Sequence, residues 1–415
     1  MAYSIRDISL APEGKRKIDW VTSNMPILSR LEQEYGEKQV FKGVKVAICV
    51  HLEAKTAYLG KVFKNAGAQV RVTGSNPLST KDDVCAALAK DGVEVFAWHN
   101  ASSVEYQAHL RETLSFGPNI IIDDGGDLVS IMHEEMQAQL ADVYGGCEET
   151  TTGILRLRAM EKEKRLQFPM VGVNEGKCKH LFDNRYGTGQ SVWDGILRTT
   201  NLNIAGKSAV VVGYGWCGKG IALRARGLGA NVIITEIDPV KACEAVMDGY
   251  LVMPMDKACT LGDVFITATG CKEVITTRHF TKMKDGALLA NAGHFNVEVS
   301  VEQLENIAVG KTERRQNITG YRMPGGSTLN LLGEGRLVNL ACADGHPAEI
   351  MDMSFSLQLL CAKHILDNKG RLKNRLYGVP DKIDDYVARK ALEGMGVKID
   401  RLTRAQKEYL NSWKI

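Results

Sequence analysis

The sequence of 415 residues lacks long apolar runs, paired metal-binding cysteines and a strong net charge. No stretch approaches the roughly 18 uninterrupted apolar residues of a membrane-spanning helix, and the N-terminal residues lack the apolar core of a secretory signal. The ten cysteines form no C-x-x-C pair and no His-x-x-x-His occurs, so we expect neither a zinc site nor a disulfide framework. A formal charge of +3 gives no indication of a nucleic-acid or membrane partner. We therefore expect a cytoplasmic protein with reduced, mostly buried thiols and no bound metal.

The length of the chain favours two or three domains, and two segments have the same pattern. One is VKVAICVHLEAKTAYLGKVFKNAGAQVRVTGSNP at 44–77, and the other is SAVVVGYGWCGKGIALRARGLGANVIITEIDP at 208–239. Each has an apolar β-branched run, a short turn, a helical period ending at Gly-Ala and a second apolar run, which predicts a β-α-β unit. Further apolar runs follow in each half. The expected fold class is α/β, with two doubly wound parallel sheets.

The C-terminal part of the chain has a different pattern. After Pro347 the sequence becomes helical through EIMDMSFSLQLLCAKHILDN and then ends in a charged amphipathic segment. Such a segment outside both sheets is expected to pack on a neighbouring subunit, so we predict a homo-oligomer. No Pro/Ser-rich linker separates the two halves, which predicts a structured junction near residues 180–190.

The stretch VVVGYGWCGKG contains a dinucleotide-binding fingerprint. Its glycines at Gly213, Gly215 and Gly218 follow a predicted strand and open a predicted helix, where they allow close approach of a pyrophosphate. Glu236 lies eighteen residues beyond Gly218 at the end of the next predicted strand, where its carboxylate can accept hydrogen bonds from ribose hydroxyls. A 2′-phosphate would meet that carboxylate, so NAD is predicted rather than NADP.

Polar residues follow the predicted strands of both halves, at the edge where open α/β sheets bind ligands. Each has an ordinary alternative: a lone histidine is often a surface or core residue, and paired acids or an ETTTG stretch often form turns and caps. Lys179, flanked by Asp183, could be a poised base or a solvated lysine. The candidates are His51, Glu53, Asp123, Asp124, Glu148, Glu149, Thr150, Thr151, Thr152, Asn174, Lys179, Asp183, Asn184, His294 and His346.

Over nearly its whole length the sequence resembles the S-adenosylhomocysteine hydrolase family. The resemblance lies in SNPLSTKDD, IDDGGDL, EETTTG, FDNRYGTGQS, GYGWCGKG, TEIDP, NAGHF and EGRLVNLACADGHP, in that order. It implies an enzyme that cleaves the thioether of an S-nucleosyl homocysteine to L-homocysteine and a nucleoside. The implied route is transient 3′-oxidation with NAD, removal of the C4′ proton, loss of homocysteine from C5′, addition of water and re-reduction. A tetramer built as a dimer of dimers is also implied.

The resemblance also implies a division of the chain and of the site. Residues 1–180, completed by 347–375, would bind substrate, 188–346 would bind NAD, and 376–415 would form a C-terminal dimerisation segment. The implied catalytic residues are His51 and Asp124 at C5′ and C4′, Glu149, Lys179 and Asp183 at the ribose hydroxyls, and His294 beside the leaving group or water. Those implied for substrate are Glu53, Lys55, Thr56, Thr150, His346 and Met351. Those implied for NAD are Thr150, Thr151, Thr152, Asn184, Gly213, Gly215, Gly218, Glu236, Asn291 and Asn339.

One departure from the family pattern bears on the nucleobase. Where many members have His-Met-Thr-x-Glu/Gln-Thr, this chain has HLEAKT, so Lys55 replaces a residue that can accept a hydrogen bond from the adenine amino group. A lysine can only donate, which suits the carbonyl of hypoxanthine, whereas Glu53 could accept from either base. The adenosyl and inosyl compounds both stay open as substrates, and Lys55 pointing to solvent is the third alternative.

Two functions of other classes compete with hydrolysis. A plain NAD-dependent dehydrogenase would accumulate NADH during turnover, and a hydrolase of this type would not. A non-catalytic NAD-binding regulator would be expected to have lost site residues, whereas the acid–base set of His51, Asp124, Lys179, Asp183 and His294 is complete.

Overall fold

A computed structural model describes residues 3–413, in which fifteen strands form two sheets. The strands in chain order are β1 (Lys45–Cys49), β2 (Gln69–Thr73), β3 (Glu94–Val95), β4 (Ile120–Asp123), β5 (Gly145–Glu148), β6 (Met170–Gly172), β7 (Ser208–Val212), β8 (Asn231–Thr235), β9 (Leu251–Val252), β10 (Val264–Thr267), β11 (Leu288–Asn291), β12 (Gly310–Arg315), β13 (Ile318–Arg322), β14 (Thr328–Leu332) and β15 (Leu376–Gly378).

Eighteen α-helices connect and cover these strands within the described residues. They are α1 (Ala11–Ser23), α2 (Pro26–Lys38), α3 (Ala54–Asn65), α4 (Asp82–Lys90), α5 (Ser103–Leu114), α6 (Asp127–Glu135), α7 (Thr151–Lys162), α8 (Lys177–Lys179), α9 (Thr188–Thr200), α10 (Trp216–Gly227), α11 (Pro239–Met247), α12 (Met255–Ala258), α13 (Thr277–Phe280), α14 (Val301–Ile307), α15 (Val338–Ala341), α16 (Ala348–Asp367), α17 (Asp381–Gly394) and α18 (Arg404–Leu410). A π-helical segment, His180–Gly187, joins α8 to α9.

The first sheet has the order β15-β6-β5-β4-β1-β2-β3, and every pair in it is parallel. The chain builds outward from β1 through β2 to β3 and then returns to place β4 on the other side of β1. The strand order therefore reverses between β1 and β4, and the carboxyl ends of these strands border a crevice suited to a ligand.

The second sheet has the order β12-β13-β14-β11-β10-β7-β8-β9, with the equivalent reversal between β7 and β10. The predicted α/β class with two doubly wound sheets is confirmed, but the expectation that this sheet is parallel throughout is wrong at one edge. There β12, β13 and β14 pair antiparallel. Two residues join β12 to β13, and Asn317 takes a left-handed φ of 63°, a connection too short for a crossover helix.

Alternation along the strands supplies apolar residues to both faces of the first sheet. Val46 and Ile48 of β1 pack into the core on the α3 side, whereas Ala47 and Cys49 pack into the core on the α5 side. A strand covered on both faces must be apolar throughout, which explains the continuous runs that identified these strands in the sequence.

The junction between the two sheets is structured, as predicted, because the π-helical segment continues directly into α9. A Cβ added to Gly220 would lie 1.7 Å from the carbonyl oxygen of Arg185, so the two backbones touch there. The long helix α16 packs on the first sheet, and β15 extends that sheet beyond residue 375, where the sequence-based division ended it. Residues 1 and 2 of the predicted substrate-binding range and residues 414 and 415 of the predicted dimerisation segment lie outside the described residues.

No described helix combines the length and apolar character needed to cross a membrane. All ten cysteines are free thiols, and seven of them are buried, as the sequence predicts.

Candidate functional site

The carboxyl edges of the two sheets face a common cleft, and two polar clusters occupy it. The first consists of His51 after β1, Asp124 after β4 and His294 after β11, and we call it the histidine cluster. Asp124 lies 3.5 Å from Nε2 of His51 and 3.7 Å from Nδ1 of His294. His294 comes from the second sheet, so this cluster joins groups from both halves of the molecule.

Two serines position the histidine cluster. Nδ1 of His51 lies 2.7 Å from Oγ of Ser79, and Ser75 donates to Oδ2 of Asp124 at 3.0 Å. Burial lowers the pKa of His51 to about 4 despite the nearby carboxylate of Asp124, so this imidazole is neutral at physiological pH. Oδ1 of Asp124, the oxygen that faces Nδ1 of His294 at 3.7 Å, is buried and accepts no hydrogen bond from the described residues, so it can still accept one.

The second cluster, the lysine cluster, centres on Lys179. Its ammonium lies 3.2 Å from Asp183 and 3.3 Å from Glu149, and donates to Oδ1 of Asn184 at 2.8 Å. Asp183 also pairs with Nδ1 of His346 at 2.9 Å. Lys179, Asp183 and Asn184 come from α8 and the π-helical segment, where a spacing of four or five residues brings side chains to one face.

Charge pairing controls the pKa values in the lysine cluster. Burial alone would lower the pKa of Lys179, but the carboxylates of Asp183 and Glu149 reverse this and raise it. Burial would raise the pKa of Asp183, yet Lys179 and His346 hold it well below the usual range. Glu149 is the exception, since burial raises its pKa to about 7 even though Lys179 acts to lower it. Glu149 is therefore the member that changes charge near neutral pH.

Helix α16 supplies two supporting residues that the sequence did not indicate. Ser354 donates to Oδ2 of Asp183 at 2.7 Å, and Gln358 donates to Oε2 of Glu149 at 2.5 Å. They lie four residues apart on one buried face of this helix, and that face also carries Met351. Ser354 and Gln358 are polar residues at helical spacing inside an otherwise apolar stretch, and this pattern could have predicted that they bond to buried polar groups.

Asp123 and Glu148, which follow the same pattern as the site residues, instead hold the backbone behind the site. Asp123 accepts from the amides of Asp124 and Val129, and Glu148 accepts from those of Gly125 and Thr150. Burial raises the pKa of Asp123 to about 8 and that of Glu148 well above its ordinary value. Gly125 needs its φ of +103°, and a Cβ there would lie 2.5 Å from Nε2 of His294.

The start of α3 places a buried charge pair beside the cleft. Nζ of Lys55 lies 2.6 Å from Oε2 of Glu53 and donates to the carbonyl of Asp344 at 3.0 Å. Only 7 % of the Lys55 side chain is exposed, so the alternative that it points to solvent is wrong. Glu53 also caps α3, and Thr56 donates to the carbonyl of His51 at 2.6 Å, which ties this pair to the histidine cluster.

The second sheet presents a glycine turn that fits a dinucleotide. Gly213 has a φ of +99°, a Cβ on Gly218 would lie 1.9 Å from the Gly213 carbonyl oxygen, and space around Gly215 is open. Glu236 accepts from the amide of Tyr214 at 2.7 Å, which holds its carboxylate beside the turn at the start of α10. These features match those needed for a pyrophosphate and a ribose.

The other residues expected at the cofactor differ in whether their polar atoms are already hydrogen-bonded within the protein. Thr150 caps α7, Thr151 accepts from Asn174 at 3.0 Å, and Thr152 is the next residue of that helix. Asn339 donates to Ser191 at 3.1 Å, and its Oδ1 is buried without a partner in the described chain, which leaves an acceptor free for a ligand. The side-chain nitrogen Nδ2 of Asn291 already donates hydrogen bonds to the carbonyl oxygens of Gly293, Phe295 and Gly335.

His51, Asp124 and His294 also have the composition of a metal site, because one ligand atom from each lies within 4.8 Å of the others. The spacing of these residues in the sequence gave no sign of this grouping.

Comparison with known families and proteins gives consistent matches. Residues 184–345 match the model described as S-adenosyl-L-homocysteine hydrolase, NAD binding domain, and residues 2–144 match S-adenosyl-L-homocysteine hydrolase. The chain is 57% identical over 412 residues to adenosylhomocysteinase of Thermococcus kodakarensis, covering 99% of this chain and 98% of the relative. It is 53% identical over 412 residues to S-inosyl-L-homocysteine hydrolase of Methanocaldococcus jannaschii, with 99% of each covered. Identity to adenosylhomocysteinase of Aquifex aeolicus is 51% over 416 residues, with 100% of each covered.

Proposed function

This chain belongs to the S-adenosyl-L-homocysteine hydrolase family, and we propose that it accepts both S-adenosyl- and S-inosyl-L-homocysteine. It is an NAD-dependent thioether hydrolase that forms L-homocysteine and a nucleoside. The observation that carries the dual specificity is the buried Lys55–Glu53 pair beside the cleft.

Adenine and hypoxanthine present opposite hydrogen-bonding edges to this pair. Adenine has an amino donor at position 6 and an acceptor at N1, whereas hypoxanthine has a carbonyl at position 6 and an N1–H donor. Lys55 can only donate and ionised Glu53 can only accept. With adenine, Glu53 would accept from the 6-amino group and Lys55 would donate to N1. With hypoxanthine, Lys55 would donate to the 6-carbonyl and Glu53 would accept from N1–H. His346 and Met351 are proposed on the other side of the base.

The lysine cluster is proposed to act at the ribose hydroxyls. The glycine turn, Glu236 and Asn339 would hold NAD, with Asn184 and Thr150 to Thr152 on its side toward the substrate. When bound, NAD would supply the oxidising equivalent for the 3′ carbon. Protonated Lys179 stabilises negative charge on the 3′ oxygen. Glu149, with a pKa of about 7, accepts the proton within the cluster, and Asp183 keeps Lys179 charged.

The histidine cluster is proposed to act at C4′ and C5′. Once the 3′ carbon is a ketone, the C4′ proton becomes acidic, and the unpartnered Oδ1 of Asp124 is the acceptor placed to remove it. His51, which is neutral, and His294 then handle the proton of the leaving thiol and of the incoming water. Because His294 belongs to the second half of the chain, this cluster is complete only when the cleft is closed.

The nucleobase proposal is tested by thiol release from the two substrates side by side, using NAD-loaded protein. We expect kcat/KM values within about tenfold of each other, because each base makes two hydrogen bonds to the pair. Lys55→Met should lower both values by about tenfold to a hundredfold, since a charged donor is lost. Lys61→Met, on the same helix and ion-paired to Asp91, is the matched control and should change neither value.

Other outcomes of that experiment are informative. Turnover of only one compound would overturn dual specificity and leave hydrolysis intact. No thiol from either compound, or net accumulation of NADH, would overturn the hydrolase function itself.

We further propose a cytoplasmic dimer of dimers in which residues 376–415 contribute to the subunit contacts, with substrate bound by 1–180 and 347–375 and NAD by 188–346. The support is the C-terminal segment, whose Leu402, Tyr409 and Leu410 are exposed and apolar. The ten free thiols suit a reducing compartment. Light scattering on the full chain measures the number of subunits.

A further inference from the structure

The C-terminal segment reaches back to the helix that carries Lys179. Strand β15 lies beside β6 in the first sheet and runs parallel to it, with Gly378 opposite Gly172. Because parallel neighbours end at the same edge of a sheet, the chain after β15 and the chain after β6 leave the sheet side by side. The first continues into α17 and the second into α8, and these two helices are in contact.

Both carboxylate oxygens of Asp384 in α17 bind the first turn of α8. Oδ2 accepts from the amide of Lys177 at 2.7 Å, and Oδ1 accepts from the amide of Cys178 at 2.8 Å. The amide of Lys179 bonds the carbonyl oxygen of Gly176 at 3.0 Å. The three amides of α8 are therefore all hydrogen-bonded, two of them to one side chain of α17.

The residue that precedes α8 has no side chain with which to cap it. This residue is Gly176, at a position where Ser, Thr, Asn and Asp usually accept from the free amides of a helix. A Cβ on Gly176 would lie 3.0 Å from Cγ2 of Val379 and 3.2 Å from the carbonyl oxygen of Val173, so the close approach of the two segments favours glycine. Asp384 supplies the missing cap from 207 residues beyond Lys177.

The contact between α17 and α8 is buried. Asp384 is only 7 % exposed, and Val387, one turn later on α17, is fully buried in the core of the first half. Burial raises the pKa of the Cys178 thiol to about 12, so the thiol stays protonated and donates to the carbonyl oxygen of Asp384 at 3.3 Å. A buried carboxylate that is held by two amides and a packed helix keeps one position, which anchors α8 to α17.

The anchored turn determines where the ammonium of Lys179 lies. That ammonium is 3.2 Å from Asp183 and 3.3 Å from Glu149. Asp183 belongs to the π-helical segment that continues α8, whereas Glu149 follows β5 in the sheet. A shift of α8 would therefore move the lysine and its helical partner together, away from Glu149 and from the proposed position of the ribose.

We propose that Asp384 is a positioning residue for the reaction, which fixes the first turn of α8 and so places the ammonium of Lys179 at the ribose. This inference rests on the proposed role of Lys179 at the ribose hydroxyls. It gives the C-terminal segment a function within its own subunit, in addition to the subunit contacts proposed for residues 376–415. Asp384 acts through the backbone of α8 and needs no contact with the substrate.

The test measures oxidation of bound adenosine or inosine on NAD-loaded protein without thiol, followed as NADH absorbance in a single turnover. In Asp384→Ala the rate constant should fall by about tenfold to a hundredfold, because a misplacement of about 1 Å has effects of this size. Asp384→Asn keeps the volume but turns an NH₂ donor toward one of the two amides, so about tenfold is expected. The amplitude should not change in either variant, since it counts the folded sites.

Asp352→Ala is the matched control. Asp352 on α16 makes the same kind of cap on α2, where it accepts from the amides of Ile27 and Leu28 at 2.9 and 2.7 Å. Its loss should lower the free energy of unfolding about as much as the loss of Asp384, yet leave the rate constant of nucleoside oxidation unchanged. Asp385→Ala, which removes an exposed ion pair with Arg389 on α17 itself, should change neither quantity.

A second readout needs no cofactor. In NAD-free protein, the amides of Lys177 and Cys178 should exchange with deuterated water faster in Asp384→Ala than in the unmodified chain, because both lose their acceptor.

Several results would overturn the positioning role of Asp384. They are an unchanged rate constant in either Asp384 variant, a fall in amplitude alone, unchanged amide exchange, or equal slowing in Asp352→Ala. A failure of the proposed function looks different, because the unmodified chain would then form no NADH with either nucleoside.

Discussion

The lysine cluster and the histidine cluster lie in the same cleft but are built in opposite ways. Lys179, Asp183 and Asn184 lie within six residues of chain and are already paired, charged and closely spaced. His51, Asp124 and His294 come from three distant loops, at separations of 3.5 and 3.7 Å, with a neutral imidazole and an unpartnered carboxylate oxygen. The first cluster is pre-organised by local structure. The second depends on how the two halves meet.

Removing the charge at the centre of the lysine cluster should have the largest effect. Lys179→Met leaves the carboxylates of Asp183 and Glu149 without their shared cation. We expect kcat to fall by about 10³-fold or more, and the free energy of unfolding to fall by about 3–5 kcal/mol. Thiol release and denaturant unfolding measure the two effects. Lys61→Met again serves as the control, and a fully active variant would contradict the proposed role.

The equivalent change in the histidine cluster should lower the rate of thiol release but hardly change the free energy of unfolding. Asp124→Asn removes the proposed base at C4′, and we expect about 10²–10⁴-fold slower thiol release. Unfolding should change little, because His51 is neutral and forms no strong ion pair with Asp124. Nucleoside oxidation without thiol should persist, while exchange of the C4′ proton with deuterated water should stop. Loss of oxidation as well would show that the clusters do not act separately.

The parts of this comparison that were visible in the sequence are the local ones. The glycine turn with Glu236, and the spacing from Lys179 to Asp183, each fall within a short stretch whose strand or helix sets the geometry. His294 approaches Asp124 across 170 residues of sequence, and only the packing of the two halves brings them together. Likewise, apolar runs predicted the buried parallel strands of both sheets. They did not predict β12, whose sequence GKTERR is polar and exposed, or its antiparallel pairing with β13 across a two-residue turn.

The clusters should also differ in their pH dependence. Burial raises the pKa of Glu149 to about 7, so the ionised base is lost as pH falls below that value, and kcat/KM should fall about tenfold per pH unit there. His51 has a pKa of about 4 and stays neutral over the same range, so it adds no second step between pH 5 and 8. A pH–rate profile on thiol release checks this. A flat profile from pH 5.5 to 7 would contradict the role of Glu149.

The smallest effect should come from the residue that orients His51. Ser79→Ala removes the contact from Oγ to Nδ1 of His51 at 2.7 Å. A neutral hydrogen bond of this kind contributes about 1 kcal/mol, so kcat/KM should fall by about fivefold. Because the pre-organised lysine cluster is untouched, nucleoside oxidation without thiol should keep its rate, and only thiol release should slow. Ser23→Ala, at the exposed end of α1, is the control. Equal slowing of both reactions would mean that Ser79 supports the whole cleft rather than the histidine cluster.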